Sequence, residues 1–103
     1  MRVSEPVSVT LEDRGDQGAF RAVVEGMAEQ GELTWRETAP GVIVADHTLV
    51  PKAIGGRGVA GLLVDALIGE ARARGWKIVP ACSYVEAQFR RHPEWSDLLA
   101  QTA

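Results

Sequence analysis

Apolar and polar residues alternate through the first half of the chain. Val7, Val9 and Leu11 are separated by Ser8 and Thr10, the period of two expected of a half-buried strand. The polar run Asp13-Arg14-Gly15-Asp16-Gln17-Gly18 reads as a turn. Phe20, Ala22 and Val24 then alternate with Arg21, Val23 and Glu25, a second strand that Gly26 breaks. Leu33-Thr34-Trp35 marks a third, and the pattern sets no boundary between Gly26 and Gly31. Ala39-Pro40-Gly41 is a turn, and residues 42–50 form a fourth strand. Strands joined by such short turns predict an antiparallel meander.

After the fourth strand the period changes. Val59, Leu62, Leu63, Ala66 and Leu67 recur at helical spacing as one apolar stripe, with Asp65 off it. Arg72 and Arg74 suit the negative end of the helix, and Gly75 suits its C-terminal stop. Trp76-Lys77-Ile78-Val79 reads as a strand reached by a crossover helix, hence parallel to the fourth. Pro80 has no N–H to give to a sheet, so pairing should weaken there. Ser83-Tyr84-Val85-Glu86 matches a capping box and opens a second helix, which Pro93 should end. Residues 94–100 suit a short terminal helix. The expected fold is α+β, a mixed and mostly antiparallel sheet carrying two main helices.

The chain has 103 residues, enough for one domain with a modest core. Its 46% hydrophobic and 24% charged residues are those of an ordinary globular protein. A net charge of −3 argues against a nucleic-acid partner, which would want clustered Lys and Arg. No apolar run nears the roughly 20 residues of a membrane span, and no signal-peptide core opens the sequence. Cys82 is the only cysteine, which fits a reducing cytoplasm. His47 and His92 are the only histidines, and no metal-binding spacing is present.

Chemistry concentrates at the junction Val50-Pro51-Lys52-Ala53-Ile54-Gly55-Gly56-Arg57-Gly58-Val59-Ala60. An apolar strand ends there, a glycine-rich turn follows, and a helix begins. Glycines let a ligand approach the backbone, and the helix start adds free amides and positive dipole, which together suit a phosphate or pyrophosphate. The same glycines would serve a plain tight turn, so spacing alone leaves both readings open. Residues 56–61 formally spell G-x-G-x-x-G, but no acidic residue ends the next strand, where Ala81 and Cys82 stand. The chain is also too short for two mononucleotide-binding halves, which removes the dinucleotide reading. A P-loop is excluded because no G-K-[ST] closes the run.

Residues 55–60 resemble the acyl-CoA pyrophosphate loop of the GNAT acetyltransferases, Gln/Arg-x-x-Gly-x-Gly/Ala, with Gly58 and Ala60 at its last two fixed positions. Gly55 stands where the family carries Gln or Arg, which removes a side chain but no amide. His47-Thr48-x-Val50-Pro51 before the loop, and Ile78-Val79-Pro80-x-Cys82-Ser83-Tyr84-Val85 with Phe89, Pro93 and Trp95 after it, resemble one branch. That branch comprises small single-domain predicted N-acetyltransferases, and the likeness runs through residues 20–99. It implies a minimal GNAT fold without the N-terminal helices that cover the acceptor site in larger members. By resemblance, the amides of Gly56, Arg57, Gly58, Val59 and Ala60 would hold the CoA pyrophosphate. Leu49 and Val50 would pair with the pantetheine arm where two central strands part, and Tyr84 would lie against the cofactor. Arg57 suits either a phosphate contact or a solvated loop cation, and Lys52 the surface.

The implied reaction is aminolysis of a thioester, which needs a base, an oxyanion donor and optionally an acid. Many GNAT enzymes place a tyrosine acid on the last helix, where this chain has Phe89; Tyr84 is a substitute in principle. Cys82 stands beside a helix N-terminus, which stabilises a thiolate. It is read as a nucleophile or as an acid for leaving CoA, against an inert packing role. His47, placed by strict alternation on one face with Ile43, Ala45 and Leu49, is read as a base or a core residue. His92 is expected at the surface, and Trp35, Trp76 and Trp95 in packing. The resulting expectation is an acetyl-CoA-dependent N-acetyltransferase acting on an amine, without metal, nucleic acid or membrane. A catalytically silent acyl-CoA-binding module is the alternative, and an interaction protein without ligand a third. Neither the acceptor nor the oligomeric state is written in the sequence.

Overall fold

The computed structural model describes residues 7–56 and 58–100. Four strands come first: β1 (Val7–Asp13), β2 (Gln17–Val24), β3 (Gln30–Ala39) and β4 (Val42–Leu49). A 3-10 turn at Lys52–Ile54 leads to α1 (Val59–Arg74), then β5 (Lys77–Pro80), α2 (Ser83–Arg91) and a second 3-10 segment at Pro93–Leu98. The sheet runs β1-β2-β3-β4-β5, antiparallel except for the parallel pair β4–β5. The expected mixed sheet with two helices is therefore present, with β4 and β5 parallel because α1 carries the chain back over the sheet.

Tight turns set the meander's registers. In the β1–β2 hairpin Val7 lies opposite Val24 and Asp13 opposite Gly18. Gly15 turns the chain at φ 96°, and its N–H donates to the Asp13 carboxylate at 2.9 Å. The undecided stretch after Gly26 is a short turn, with the Met27 N–H bonded to the Val24 carbonyl at 3.0 Å. β3 is longer than its three-residue signal, because Gly31, Leu33 and Trp35 alternate inward against Glu32, Thr34 and Arg36.

The core lies between α1 and one sheet face. Phe20, Ala22, Val24, Leu33, Trp35, Ile43, Ala45 and Ile78 meet Val59, Leu63, Val64, Leu67, Ile68 and Ala71 of α1. The buried stripe is rotated from the expected one: Val64, Ile68 and Ala71 are inside, whereas Leu62 is 39% exposed. The helix sits close to the sheet over Gly31. A Cβ there would lie 3.0 Å from Val59 Cγ1 and 3.4 Å from Leu63 Cδ1. Full burial of Leu63 and Leu67 stabilises the fold by about 1.5–3 kcal/mol each. Trp35 and Trp76 pack with centroids 5.0 Å apart, and the Arg74 guanidinium lies 4.6 Å over Trp76.

The capping box at Ser83 does not form. Cys82 is the N-cap of α2, no side chain caps the helix, and Ser83 is its first helical residue. Beyond α2, Leu99 bridges Ile78 in parallel and Ala100 donates its N–H to the Ile78 carbonyl at 2.8 Å. That extended segment lies along the outer edge of β5.

Candidate functional site

β4 and β5 pair over four residues only, from Val42 opposite Lys77 to Ala45 opposite Pro80. The Cys82 N–H then donates to the Ala45 carbonyl at 3.0 Å, and the chain turns into α2. β4 runs on, held by β3 as far as Leu49 opposite Glu32. Among the described residues no strand pairs with the β5-facing edge of residues 46–49. The strands part at Pro80, where an N–H is missing.

A bulge in β4 changes which face its residues take. His47 lies opposite Thr34 and Ala45 opposite Trp35, so Asp46 is the extra residue. An extra residue shifts the alternation by one. Ile43 and Ala45 are buried toward α1, whereas His47 and Leu49 are exposed on the opposite face. The expectation that His47 shares one face with Ile43 and Ala45 is thus corrected, and His47 is not a core residue. The Thr34 hydroxyl donates to the Asp46 carboxylate, whose other oxygen lies 3.4 Å from Arg36 Nε. Thr34, Arg36 and Asp46, with Glu12 and Arg21, line a shallow basin of about 220 Å³.

Thr48, one residue on, lies opposite Leu33 and so points to the α1 side. Its hydroxyl oxygen is 3.4 Å from the half-buried Cys82 Sγ. Burial pushes the Cys82 thiol up, but the Thr48 hydroxyl and the backbone amides of Val85, Tyr84 and Thr48 together outweigh it. The thiol therefore titrates below its ordinary value. Thr48 belongs to the His47-Thr48-x-Val50-Pro51 match, but a threonine in a strand is commonplace, and only the parting of β4 from β5 brings Cys82 to it.

The glycine loop is anchored by fully buried Ile54, whose N–H bonds to the Pro51 carbonyl at 3.0 Å. Gly56 and Gly58 both have φ 75°, a left-handed conformation that makes glycine the fitting residue. Gly58 is the N-cap of α1, with no side chain to cap it and no acidic residue in the first turn. The amides of Val59 and Ala60 have no partner within the helix. A helix end left uncapped in this way is suited to an anion. Arg57 lies outside the described residues.

The remaining candidates separate cleanly. Phe89 is buried, 7% exposed, with its ring edge-on to Trp95 at 5.6 Å. Tyr84 is half-buried in the first turn of α2. His92 stacks on Trp95 at 4.1 Å and its Nδ1 lies 2.9 Å from Glu94, beyond the end of α2. Trp35 and Trp76 are core residues, and Trp95 packs against the core. Among the described residues no cluster of three or more His, Cys, Asp or Glu could hold a metal ion, and no helix is long and apolar enough to cross a membrane. β4 thus brings His47, Thr48 and Leu49 to the parting of the sheet, the N-cap of α2 brings Cys82, and the glycine loop begins at Gly55, after the 3-10 turn at Lys52–Ile54.

Comparison with known proteins bears on the family and the fold. Residues 19–98 match the family described as GCN5-related N-acetyl-transferase. The fold is similar to the NMR solution structure of a GCN5-like protein from Staphylococcus aureus, with a TM-score of 0.64. The two are 24% identical, and the likeness covers 91% of this chain and 90% of that one. No curated protein matches the sequence.

Proposed function

The chain belongs to the GCN5-related N-acetyltransferase family, and on that premise we propose that it transfers an acetyl group from acetyl-CoA to an amine. The observation that carries this reading is the open edge of β4, followed after one 3-10 turn by a glycine loop and an uncapped helix. An extended arm with amide groups suits the edge, through the backbone of Leu49 and Val50. The pyrophosphate suits the amides of Gly56, Gly58, Val59 and Ala60, with Arg57 adding charge. Tyr84, beside Cys82, would flank the thioester end of the arm.

In this reading Cys82 and His47 work from opposite sides of β4. The Cys82 thiolate attacks the thioester carbonyl, the carbon–sulfur bond to CoA breaks, and the CoA thiolate takes up a proton. The amine then attacks the acetyl-cysteine carbonyl, His47 accepts the amine's proton, and the Cys82 thiolate is released. A thiol more acidic than usual favours this order. The acceptor enters from the exposed His47 face, beside the basin of Thr34, Arg36 and Asp46, where among the described residues no helix covers His47 or Asp46. A reduced Cys82 suits the cytoplasm. Phe89 supports a second reading, an acyl-CoA-binding module without turnover, because it can donate no proton at the tyrosine position common in the family.

Native mass spectrometry of the protein with acetyl-CoA tests both readings at once. A non-covalent CoA complex together with a mass gain of one acetyl group is expected. A complex without acetyl gain or turnover would favour the silent module, and no complex would sink the proposal.

A further inference from the structure

We propose that Thr48 is a positioning residue for Cys82: its hydroxyl holds the Cys82 sulfur in the gap between β4 and β5 and donates to the thiolate there. This inference rests on the catalytic reading of Cys82 given above.

The arrangement follows from the parting of the strands. In a continuous sheet the β5-facing backbone groups of β4 would be paired, and no side chain could occupy their place. Here pairing ends at Ala45, and the Cys82 N–H bonds back to the Ala45 carbonyl. That bond fixes the Cys82 backbone beside the open edge, with φ −81° and ψ 132° as the N-cap of α2. The side chain then reaches Thr48, three residues further along β4, at 3.4 Å from its Oγ1. A threonine in a strand has few side-chain rotamers, so its hydroxyl is held in direction before the sulfur arrives.

The hydroxyl can serve both forms of the sulfur. It accepts the S–H while Cys82 is protonated, and it donates once the proton has left for solvent. Amides of Thr48, Tyr84 and Val85 complete the surround, and the groups acting most strongly on the sulfur are all uncharged. The titratable and charged residues along the adjoining elements are Asp46 and His47 on β4, Lys77 on β5, and Tyr84, Glu86, Arg90 and Arg91 on α2; His47 lies on the opposite sheet face from Thr48. A carboxylate or ammonium pair is not needed to explain the thiol's acidity. Valine at position 48 would keep the shape and remove the donor.

The test measures the pH dependence of Cys82 alkylation by iodoacetamide, followed by mass, in the full chain without CoA. The thiolate sulfur forms a bond to the reagent's methylene carbon and iodide leaves, so the rate reports the thiolate fraction. Thr48→Val should move the midpoint to higher pH and slow alkylation at neutral pH by about tenfold, the scale of one hydrogen bond to a charged group. Thr48→Ser should restore the wild-type midpoint. If Thr48→Val does not fold, Thr48→Ala carries the same comparison. An unchanged midpoint in a folded Val or Ala variant overturns the inference, as does a Ser variant that behaves like Val. Because no CoA is present, failure here is distinct from failure to bind or turn over acetyl-CoA.

Discussion

The carbonyl oxygen of Ala45 accepts the backbone N–H of Cys82 at 3.0 Å, and at that bond β4 loses its neighbour. Up to Ala45 the strand is an interior member of the sheet. Beyond it, one edge is open and a bulge turns His47 out of the core. The thiol of Cys82 and the open main chain of β4 therefore come together, with His47 on the opposite face of the same strand, although β4 and α2 are far apart in sequence.

Anion binding at the start of α1 predicts opposite effects on stability and on affinity for one substitution. Ala60 lies in the first turn, has ordinary helical geometry and is part-exposed. A carboxylate there favours the helix dipole but repels a pyrophosphate. Ala60→Glu should leave the melting temperature unchanged or slightly raised and weaken CoA binding more than tenfold, about 1.4 kcal/mol or more. Calorimetric titration showing wild-type affinity would remove the loop from the CoA site. Gly58→Glu should weaken CoA binding similarly, with a stability loss added by its φ of 75°.

His47→Gln should lower turnover by about 10²-fold or more and leave CoA affinity nearly unchanged, because a base acts in the transition state. Exposure of His47 also predicts that the variant keeps its melting temperature. Normal turnover would leave His47 as a surface residue.

Cys82→Ala should abolish or strongly slow acetyl transfer while CoA still binds, and bound CoA should protect Cys82 from iodoacetamide in the wild type. The nucleophilic route further requires an acetyl adduct on the wild type that the variant lacks. Activity lost without any adduct points instead to Cys82 as the acid for leaving CoA. Full activity in the variant, with alkylation indifferent to CoA, leaves only a packing role.

Gly18 supplies a purely structural test. A Cβ at this position would meet the Glu12 carbonyl oxygen and lie 2.6 Å from Trp35 Cζ2. Neither the ladder nor the buried indole can move freely, and overpacking of this kind costs about 1–3 kcal/mol. Gly18→Ala should lower the melting temperature by roughly 5 °C or more. Thermal unfolding within a degree of wild type would contradict the packing described.

Asp13 predicts a pH effect. The Gly15 N–H, and after it the Arg74 guanidinium at 2.9 Å, hold its carboxyl below the usual range. A carboxyl lowered in the folded state adds stability above its unfolded pKa of about 3.9, and the gain disappears as pH falls through the folded value. The difference in urea midpoint between wild type and Asp13→Asn should therefore be full near pH 6 and shrink below pH about 4. A difference constant down to pH about 2 would contradict the pairing.

Alternation and turn residues made the meander, β4, α1 and the parallel β5 legible, because each is a local pattern. What escaped the reading depends on distant contacts. The stripe of α1 takes in Val64, Ile68 and Ala71 and leaves Leu62 out, because the sheet beneath decides how the helix lies, and nothing in residues 59–74 reports that surface. Strict alternation put His47 inside, and one extra residue at Asp46 reverses it without any sign in composition. Ser83 and Glu86 have the spacing of a capping box, yet the helix begins one residue earlier, at Ser83 itself, with Cys82 as the cap and its carbonyl accepting the Glu86 N–H. The partnership of Thr48 with Cys82 exists only once β4 and β5 have parted.

An open strand edge is a hazard as well as an opportunity, since unpaired main chain can template another protein's strand and begin aggregation. The segment beyond β5 blocks one such edge by bonding to Ile78. At β4 the exposure is limited by length: the bulge at Asp46 twists one end and Pro51, which lacks an N–H, closes the other. What remains is about 13 Å of main chain, long enough for a ligand arm carrying two amides and too short to seed a stable intermolecular sheet.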